Sequence, residues 1–220
     1  MPPDPQKWPP VMCLTQDGLP LGHSEQAERL CAAGARWIQL RMKGADPATW
    51  LAEARATARA CRRHGAILVV NDSVEIALGC GADGVHLGGL DGSWRDARRL
   101  LGPDRIVGGS MNHPDDARRA VAAGCLDYVG VGPLRFTATK TDLSPLLGFE
   151  GTREIIALLR GIPAWVIGGV EASDAGQLRG TGAAGVAVSS SLHRGGRIEE
   201  NLRAFLEAWA ASPAPREVAS

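Results

Sequence analysis

Short apolar runs alternate along the chain with longer segments whose apolar residues recur at helical spacing. The runs are almost entirely apolar, which is typical of strands in a parallel sheet that is covered on both faces. We find eight runs with this pattern, at 11–15, 37–40, 66–70, 84–87, 105–107, 127–131, 164–167 and 185–188.

A helix-like segment follows each run. The predicted helices are 24–33, 47–63, 74–80, 94–101, 114–123, 152–159, 173–179 and 198–210. Several of these segments end at glycine, as helix C-termini often do. Eight strand–helix units predict an α/β fold, a single (β/α)8 TIM barrel over 1–220, with 1–10 and 212–220 as flexible tails. An open doubly wound sheet is the alternative, and eight units of this length favour closure.

Composition narrows the class of protein. The chain has 220 residues, and 24 basic residues balance 24 acidic ones, so net charge does not indicate binding to nucleic acid or a membrane. No apolar run approaches the ~20 residues of a membrane span, and the proline-rich N-terminus lacks the apolar core of a signal peptide. The five cysteines are odd in number and widely spaced, which fits reduced thiols. We therefore expect a cytoplasmic globular domain without nucleic-acid or membrane partners.

Polar residues follow several of the predicted strands. In a TIM barrel the C-terminal strand ends meet on one face, where chemistry takes place. Arg41 and Lys43 lie two residues apart after the second strand, so both should point to the same side and could bind a polyanion. A solvated pair of surface cations is the alternative.

Carboxylates follow the third and fourth strands, which are neighbours in a barrel. Asn71-Asp72 and Asp91 could hold Mg²⁺ together with phosphate oxygens and water. Each carboxylate also has a structural interpretation. Asp72 could cap the helix that begins near Val74, and Asp91 could be a turn residue.

The longest loop of the chain follows the sixth strand and begins with residues 132–140. Thr137, Thr139 and Lys140 alternate there, and two hydroxyls with an ammonium group can surround a phosphate or polarise a leaving oxygen. A threonine-rich surface loop with an exposed lysine is an equally simple interpretation.

The last two strands end in small residues that suit a phosphate. Gly168 and Gly169 follow the seventh strand, and Ser189 and Ser190 follow the eighth. Loops at these two positions form the recurrent phosphate site of TIM barrels, and glycine lets the backbone approach an anion closely. The pattern predicts a monophosphate pocket.

The sequence does not favour nucleophilic hydrolysis, ATP-dependent chemistry or a catalytic histidine. His86 ends the fourth strand and could act as a base, although a packed histidine is the more common case. The chain has no Gly-x-Ser-x-Gly elbow, no His-Glu-x-x-His motif and no P-loop, so nucleophilic hydrolysis and ATP chemistry are not indicated.

In their order and spacing, these segments resemble the thiamine phosphate synthase family between about Val11 and Leu192. The matching segments are Gln39-Leu40-Arg41-x-Lys43, Val70-Asn71-Asp72, the run from Gly81 to Gly88, Gly132-Pro133 through Thr137-x-Thr139-Lys140, Ile167-Gly168-Gly169, and Gly185 through Ser190. Each segment is weak evidence alone, and the ordered set is specific.

The resemblance implies a transferase that joins hydroxymethylpyrimidine pyrophosphate to thiazole phosphate and releases pyrophosphate. It implies that Gln39 and Ser110 contact the pyrimidine, and that Asp72 and Asp91 coordinate Mg²⁺ as cofactor. The pyrophosphate would be held by Arg41, Lys43, Asn71 and Lys140. The thiazole phosphate would be held by Thr137, Thr139, Gly168 or Gly169, Ser189 and Ser190. Catalysis would rest on Arg41, Lys43, Lys140 and Ser110.

The chain also departs from the family pattern. Met42 replaces an acidic residue, and strand alternation should point it away from Arg41 and Lys43. Arg135 adds a positive charge of unassigned role, and Asn112 stands where the family often has histidine. Two other functions stay open: a TenI-like thiazole tautomerase on the same barrel, and a non-catalytic binder of thiamine precursors. A homo-oligomer also stays open.

Overall fold

Eight parallel strands close into a barrel in the computed structural model, which describes residues 8–89, 91–136 and 145–213. Each strand pairs with the next in the sequence, and the last pairs with the first. This topology confirms the predicted TIM barrel. The strands are β1 Val11–Leu14, β2 Trp37–Leu40, β3 Ile67–Asn71, β4 Gly84–Leu87, β5 Ile106–Met111, β6 Tyr128–Val131, β7 Ala164–Ile167 and β8 Gly185–Val188.

Helices surround the barrel, and four of them have the predicted bounds, α2 to α5. None of the helices within the described ranges has the length and apolarity needed to cross a membrane. The helices are α1 His23–Ala32, α2 Pro47–Arg63, α3 Val74–Cys80, α4 Trp94–Leu101, α5 Pro114–Ala123, α6 Gly148–Leu158, α7 Ala175–Gly180, α8 Ser190–His193 and α9 Ile198–Ala211.

Three predicted elements differ from the structure by more than one residue at a boundary. β5 was expected to end at Val107 but continues to Met111, through two glycines that are usually rare in strands. A Cβ on the first, Gly108, would lie 2.3 Å from the Tyr128 ring, so packing across the barrel explains its glycine. α6 begins four residues before the predicted start at Thr152. The predicted helix 173–179 is divided into a 3-10 turn, Ala172–Asp174, and α7.

Aromatic side chains fill the N-terminal end of the barrel. Trp37, Tyr128 and Trp165 point inward from three strands, and Trp8 packs against them with its ring centroid 5.0 Å from that of Trp37. A Cβ on Gly185 would lie 2.2 Å from Trp165 Nε1, so large and small residues complement each other across the interior. The barrel is thereby closed at one end, and the C-terminal end is left for a site.

Residues 8–10 belong to the barrel rather than to the predicted flexible tail. Trp8 is buried, the carbonyl of Pro9 accepts a hydrogen bond from Trp165 Nε1, and that of Pro10 accepts one from the Val186 N–H. Ser212, assigned to the other tail, accepts a hydrogen bond from Arg179 through its carbonyl. Proline content suggested a tail because local sequence does not reveal the aromatic pocket that receives Trp8. Residues 1–7 and 214–220 lie outside the described part of the chain.

Candidate active site

A cavity of about 570 Å³ opens at the C-terminal ends of the strands. All predicted site residues that fall in the described part of the chain line it, namely Gln39, Arg41, Lys43, Asn71, Asp72, Asp91, Ser110, Gly168, Gly169, Ser189 and Ser190. Thr137, Thr139 and Lys140 lie outside the described residues. The convergence that the strand ends predicted is therefore present for residues up to 151 positions apart in the sequence.

Asp72 lies at the centre of one side of this cavity. Its carboxylate forms an ion pair with Lys43 Nζ, and its backbone has a φ of 68°, in the left-handed region. Ser73, not Asp72, caps α3, because its Oγ accepts a hydrogen bond from the Ile76 N–H at 3.2 Å. The capping alternative for Asp72 is wrong, and its carboxylate is left to the cavity.

Asp91 approaches Asp72 from the loop after β4. Its Oδ2 accepts a hydrogen bond from the Gly88 N–H at 2.7 Å, which fixes the carboxylate towards the cavity. Burial and a hydrogen bond to Asp91 raise the pKa of Asp72, while Lys43 acts in the opposite direction. Two carboxylates this close repel each other when both are ionised, so a cation between them would be favourable.

This pair of carboxylates suits a cation that takes few protein ligands. No group of three or more His, Cys, Asp and Glu side chains in metal-binding geometry occurs among the residues described. Mg²⁺ usually takes one or two carboxylates and completes its shell with water and substrate phosphate. The side chains present therefore fit Mg²⁺ better than a metal that needs a full protein cage.

The basic pair after β2 has the expected orientation. Arg41 and Lys43 line the cavity, while Met42 between them packs against the hydrophobic layer between strands and helices. The predicted orientation of Met42 is confirmed, because side-chain alternation continues past the last residue of β2. The replacement of an acidic residue by Met42 leaves both cations on the cavity side.

A buried polar group lies beneath the centre of the cavity. His86 Nδ1 is 2.9 Å from the Tyr128 hydroxyl, and His86 Nε2 is 2.9 Å from Ser110 Oγ. Gln39 is also hydrogen-bonded to Tyr128, whose pKa burial raises far above its usual range. The expectation of a packed His86 is confirmed, and His86 also holds Ser110 and thus shapes the cavity floor.

The opposite side of the cavity is formed by the ends of β7 and β8. Gly168 and Gly169 have φ values of 90° and 67°, and a Cβ on Gly168 would lie 2.7 Å from Pro133 Cβ. The buried Oγ of Ser189 has no hydrogen-bond partner among the described residues. A cradle of glycine backbone beside an unsatisfied hydroxyl is suited to donate hydrogen bonds to phosphate oxygens.

Arg135, whose role the sequence left open, supports this cradle. Its guanidinium donates to both carboxylate oxygens of Asp174, at 2.6 and 2.8 Å, and to the carbonyl of Gly169 at 3.1 Å. Burial opposes ionisation of Asp174, yet hydrogen bonds from Arg135 and the Glu171 N–H lower its pKa. Arg135 thus ties the loop after β6 to the loop after β7.

We expect Arg135→Ala to lower the free energy of unfolding by about 1–2 kcal/mol at pH 7, because it removes charged hydrogen bonds from a buried carboxylate. Because the pKa of Asp174 is lowered in the folded protein, its ionised form stabilises the fold at pH values above the ordinary pKa of Asp. This stabilisation disappears as the pH falls through the lowered pKa. Thermal unfolding of both proteins between pH 7 and pH 2 should therefore show a difference that shrinks on acidification.

Arg153→Ala is the matched control, since Arg153 pairs with Glu150 on the exposed surface of α6. This variant should change stability by less than about 0.5 kcal/mol at any pH. Equal effects of the two substitutions would show that the Arg135–Asp174 pair contributes no more than a surface ion pair.

Sequence reasoning assigned no role to two other residues that line the cavity, Asn112 and Arg119. Asn112 Nδ2 donates a hydrogen bond to the Gly132 carbonyl, and its N–H donates to Asp116 Oδ2 at 2.8 Å. Asp116 in turn pairs with Arg119. Helical spacing offered no signal for Arg119, because an arginine on the first turns of α5 looks like a solvated side chain.

The comparison with protein families covers most of this barrel. A family model described as thiamine monophosphate synthase matches residues 12–192. This range contains all eight strands apart from Val11, the first residue of β1. The chain belongs to the thiamine monophosphate synthase family. The resemblance inferred from the ordered strand endings is confirmed.

Individual members of the thiamine monophosphate synthase family agree. The thiamine-phosphate synthase of Bacteroides fragilis is 42% identical over 172 residues, which cover 76% of this chain and 84% of the relative. That of Phocaeicola vulgatus is 41% identical over 174 residues, with 77% and 83% coverage. A solved thiamine phosphate pyrophosphorylase from Pyrococcus furiosus superposes with a TM-score of 0.81 at 27% identity, covering 91% of this chain and 95% of that one.

Proposed function

We propose that this chain is a transferase that condenses an aminopyrimidine pyrophosphate with thiazole phosphate, giving thiamine phosphate and pyrophosphate. One observation carries the proposal: a single cavity has two unlike ends, each suited to a phosphate group. Cations and carboxylates cluster at β2, β3 and β4, whereas glycine backbone and serine lie at β7 and β8. In a closed eight-stranded barrel these strand groups lie on opposite sides.

The basic end would bind the pyrophosphate of the first substrate. Arg41 can grip phosphate oxygens in a bidentate manner, and Lys43 adds a point charge next to Asp72. Asn71 lies beside them at the end of β3. By family resemblance Lys140 joins this group from the loop after β6. These cations would stabilise the charge that develops on the leaving pyrophosphate, which is where electrostatic catalysis acts.

Asp72 and Asp91 would hold Mg²⁺ at this end, since two adjacent carboxylates leave coordination positions for pyrophosphate oxygens and water. The bound ion would neutralise further negative charge on the leaving group. Lys43, which pairs with Asp72, would then sit at the same phosphate oxygens and help to orient them.

The floor of the cavity would orient the pyrimidine. Gln39 and Ser110 offer hydrogen bonds to a heteroaromatic ring, and His86 and Tyr128 hold both of them in place from below. An electron-rich aminopyrimidine can carry positive charge once the carbon–oxygen bond breaks, so the protein needs no covalent nucleophile. The reaction would then be dissociative, and positioning would supply much of the rate.

The glycine end would anchor thiazole phosphate. The N–H groups around Gly168 and Gly169, the unsatisfied Ser189 hydroxyl and Ser190 can donate hydrogen bonds to a monophosphate. Thr137 and Thr139 are assigned to the same phosphate by resemblance. Anchored there, the thiazole nitrogen can form its bond to the methylene carbon on the pyrimidine, from the side opposite the pyrophosphate oxygen that leaves that carbon. A cytoplasmic location is part of this proposal, supported by five free cysteines.

Pyrophosphate release from the two substrates tests the function directly. We expect release that depends on both substrates and on Mg²⁺, with thiamine phosphate formed in equal amount. Pyrophosphate must appear because the condensation expels it as its leaving group. Conversion of the thiazole phosphate alone, without pyrophosphate, would instead indicate a tautomerase. Binding of both compounds without product would indicate a non-catalytic binder, and either result would overturn the proposal.

A further inference from the structure

Behind the two basic residues of the cavity lies a chain of hydrogen bonds in the loop between β1 and α1. Thr15, Asp17 and His23 form it, and none of them lines the cavity. Thr15 is fully buried and His23 is only 7% exposed. A buried imidazole with both nitrogens in use is a defined connection rather than a surface feature.

The partners of His23 determine the direction of each hydrogen bond. Asp17 has only acceptor oxygens, so His23 Nε2 donates to its Oδ1 at 3.1 Å. In the neutral ring, Nδ1 then accepts a hydrogen bond from the Thr15 hydroxyl at 2.8 Å. The imidazole thereby fixes the position of both neighbours.

Each of these neighbours holds one peptide N–H of the basic segment. Thr15 Oγ1 accepts a hydrogen bond from the Arg41 N–H at 3.1 Å, and Asp17 Oδ2 accepts one from the Lys43 N–H at 3.2 Å. β2 ends at Leu40, so side-chain acceptors replace the strand ladder for these two residues. The backbone beneath both cations is thus fixed by a single histidine through two separate arms.

We propose that His23 is a positioning residue for the pyrophosphate site: its Thr15 arm places Arg41 and its Asp17 arm places Lys43. The inference rests on the proposed function, because it assigns pyrophosphate to these two cations. His23 touches neither substrate. Its effect should be strongest at the basic end of the cavity, because the hydrogen bonds of Thr15 and Asp17 lead to Arg41 and Lys43, whereas His193 of α8 is hydrogen-bonded to the Leu14 carbonyl rather than to His23.

Two conservative variants separate the arms. His23→Asn keeps a polar atom near the position of Nδ1 and loses the Asp17 arm, whereas His23→Gln keeps one near Nε2 and loses the Thr15 arm. Each variant should raise the KM for pyrimidine pyrophosphate about fivefold, and His23→Ala should raise it more than either, because a hydrogen bond contributes about 1 kcal/mol net. The KM for thiazole phosphate should stay within about twofold.

Steady-state kinetics with each substrate varied, together with calorimetric titration of inorganic pyrophosphate with Mg²⁺, measure this effect. His64→Ala is the matched control, because His64 also hydrogen-bonds a carboxylate, Glu28, at 2.8 Å and does not line the cavity. It should leave both KM values and pyrophosphate binding unchanged.

Equal increases in both KM values, or a loss of thermal stability with unchanged KM, would overturn the positioning role. If the His23 variants do not fold, Asp17→Ala tests the Asp17 arm on its own. The Asp17 side chain is 39% exposed, so its truncation should disturb the fold less than that of the buried His23. It should raise the KM for pyrimidine pyrophosphate, and no increase would overturn the proposal. Failure of the proposed function is distinguishable, because the wild-type protein would then show no turnover.

Discussion

Asp72→Asn and Asp91→Asn should each reduce turnover about 100-fold or more, the effect of removing one preorganised electrostatic contact from a reacting charge. The physical reason is the close pairing of the two carboxylates: burial and mutual repulsion disfavour the ionised form of Asp72, and Lys43 offsets this only in part. Each substitution removes one anionic ligand and should weaken Mg²⁺ binding together with turnover.

The pH dependence follows from the same pair. Metal binding requires the carboxylate form, and the raised pKa of Asp72 means that protons compete with Mg²⁺ at higher pH than at an ordinary aspartate. At limiting Mg²⁺, activity should fall on acidification as the pH passes through this raised pKa. In Asp91→Asn, the decline of the remaining activity should be displaced to a lower pH than in the wild type. The reason is that Asp91 no longer raises the pKa of Asp72.

Kinetics at varied Mg²⁺ and calorimetry of Mg²⁺ with pyrophosphate measure both effects. Asp96→Asn is the control, since Asp96 pairs with Arg99 on the exposed surface of α4, outside the cavity. If the double variant Asp72→Asn with Asp91→Asn keeps the Mg²⁺ dependence of the wild type, the assignment of these carboxylates to a metal is wrong.

Gly168→Ala should raise the KM for thiazole phosphate at least about tenfold and lower stability. The new Cβ would lie 2.7 Å from Pro133 Cβ and 2.8 Å from Pro133 Cα, closer than real contacts allow. Because the Gly168 carbonyl accepts the Arg135 N–H at 2.9 Å, relief of this clash must shift both loops of the cradle. The KM for pyrimidine pyrophosphate should change little.

Gly161→Ala separates backbone strain from crowding. Gly161 has a φ of 94°, close to the 90° of Gly168, but a Cβ there meets nothing within 4 Å. It should cost about 1 kcal/mol of stability from the left-handed conformation alone, with both KM values unchanged. Should the two alanine variants behave alike in kinetics and thermal unfolding, the cradle would not depend on contact between Gly168 and Pro133.

Local chemistry explains why the sequence predicted the roles of some site residues and left those of Asp72 and Arg135 open. Asp72 was ambiguous because a carboxylate before a helix caps it as readily as it binds a metal. The structure removes this ambiguity, because the Ser73 hydroxyl caps α3 and the Asp72 carboxylate does not. Arg135 was unassigned for a related reason. Its partner Asp174 lies 39 residues further along the chain, and no spacing rule connects them.

The sequence by itself determined the barrel, its order of strands and the strand endings that line the cavity. Short apolar runs and the 3.6-residue period of helices are local patterns, and in a closed parallel barrel all C-terminal strand ends must share one face. Only the tertiary structure decided which side chains hold others in place. It joined His23 to Arg41 and Lys43, His86 to Tyr128 and Ser110, and Trp8 to the aromatic end of the barrel. Those contacts depend on packing between distant elements, for which a single sequence carries no periodic signal.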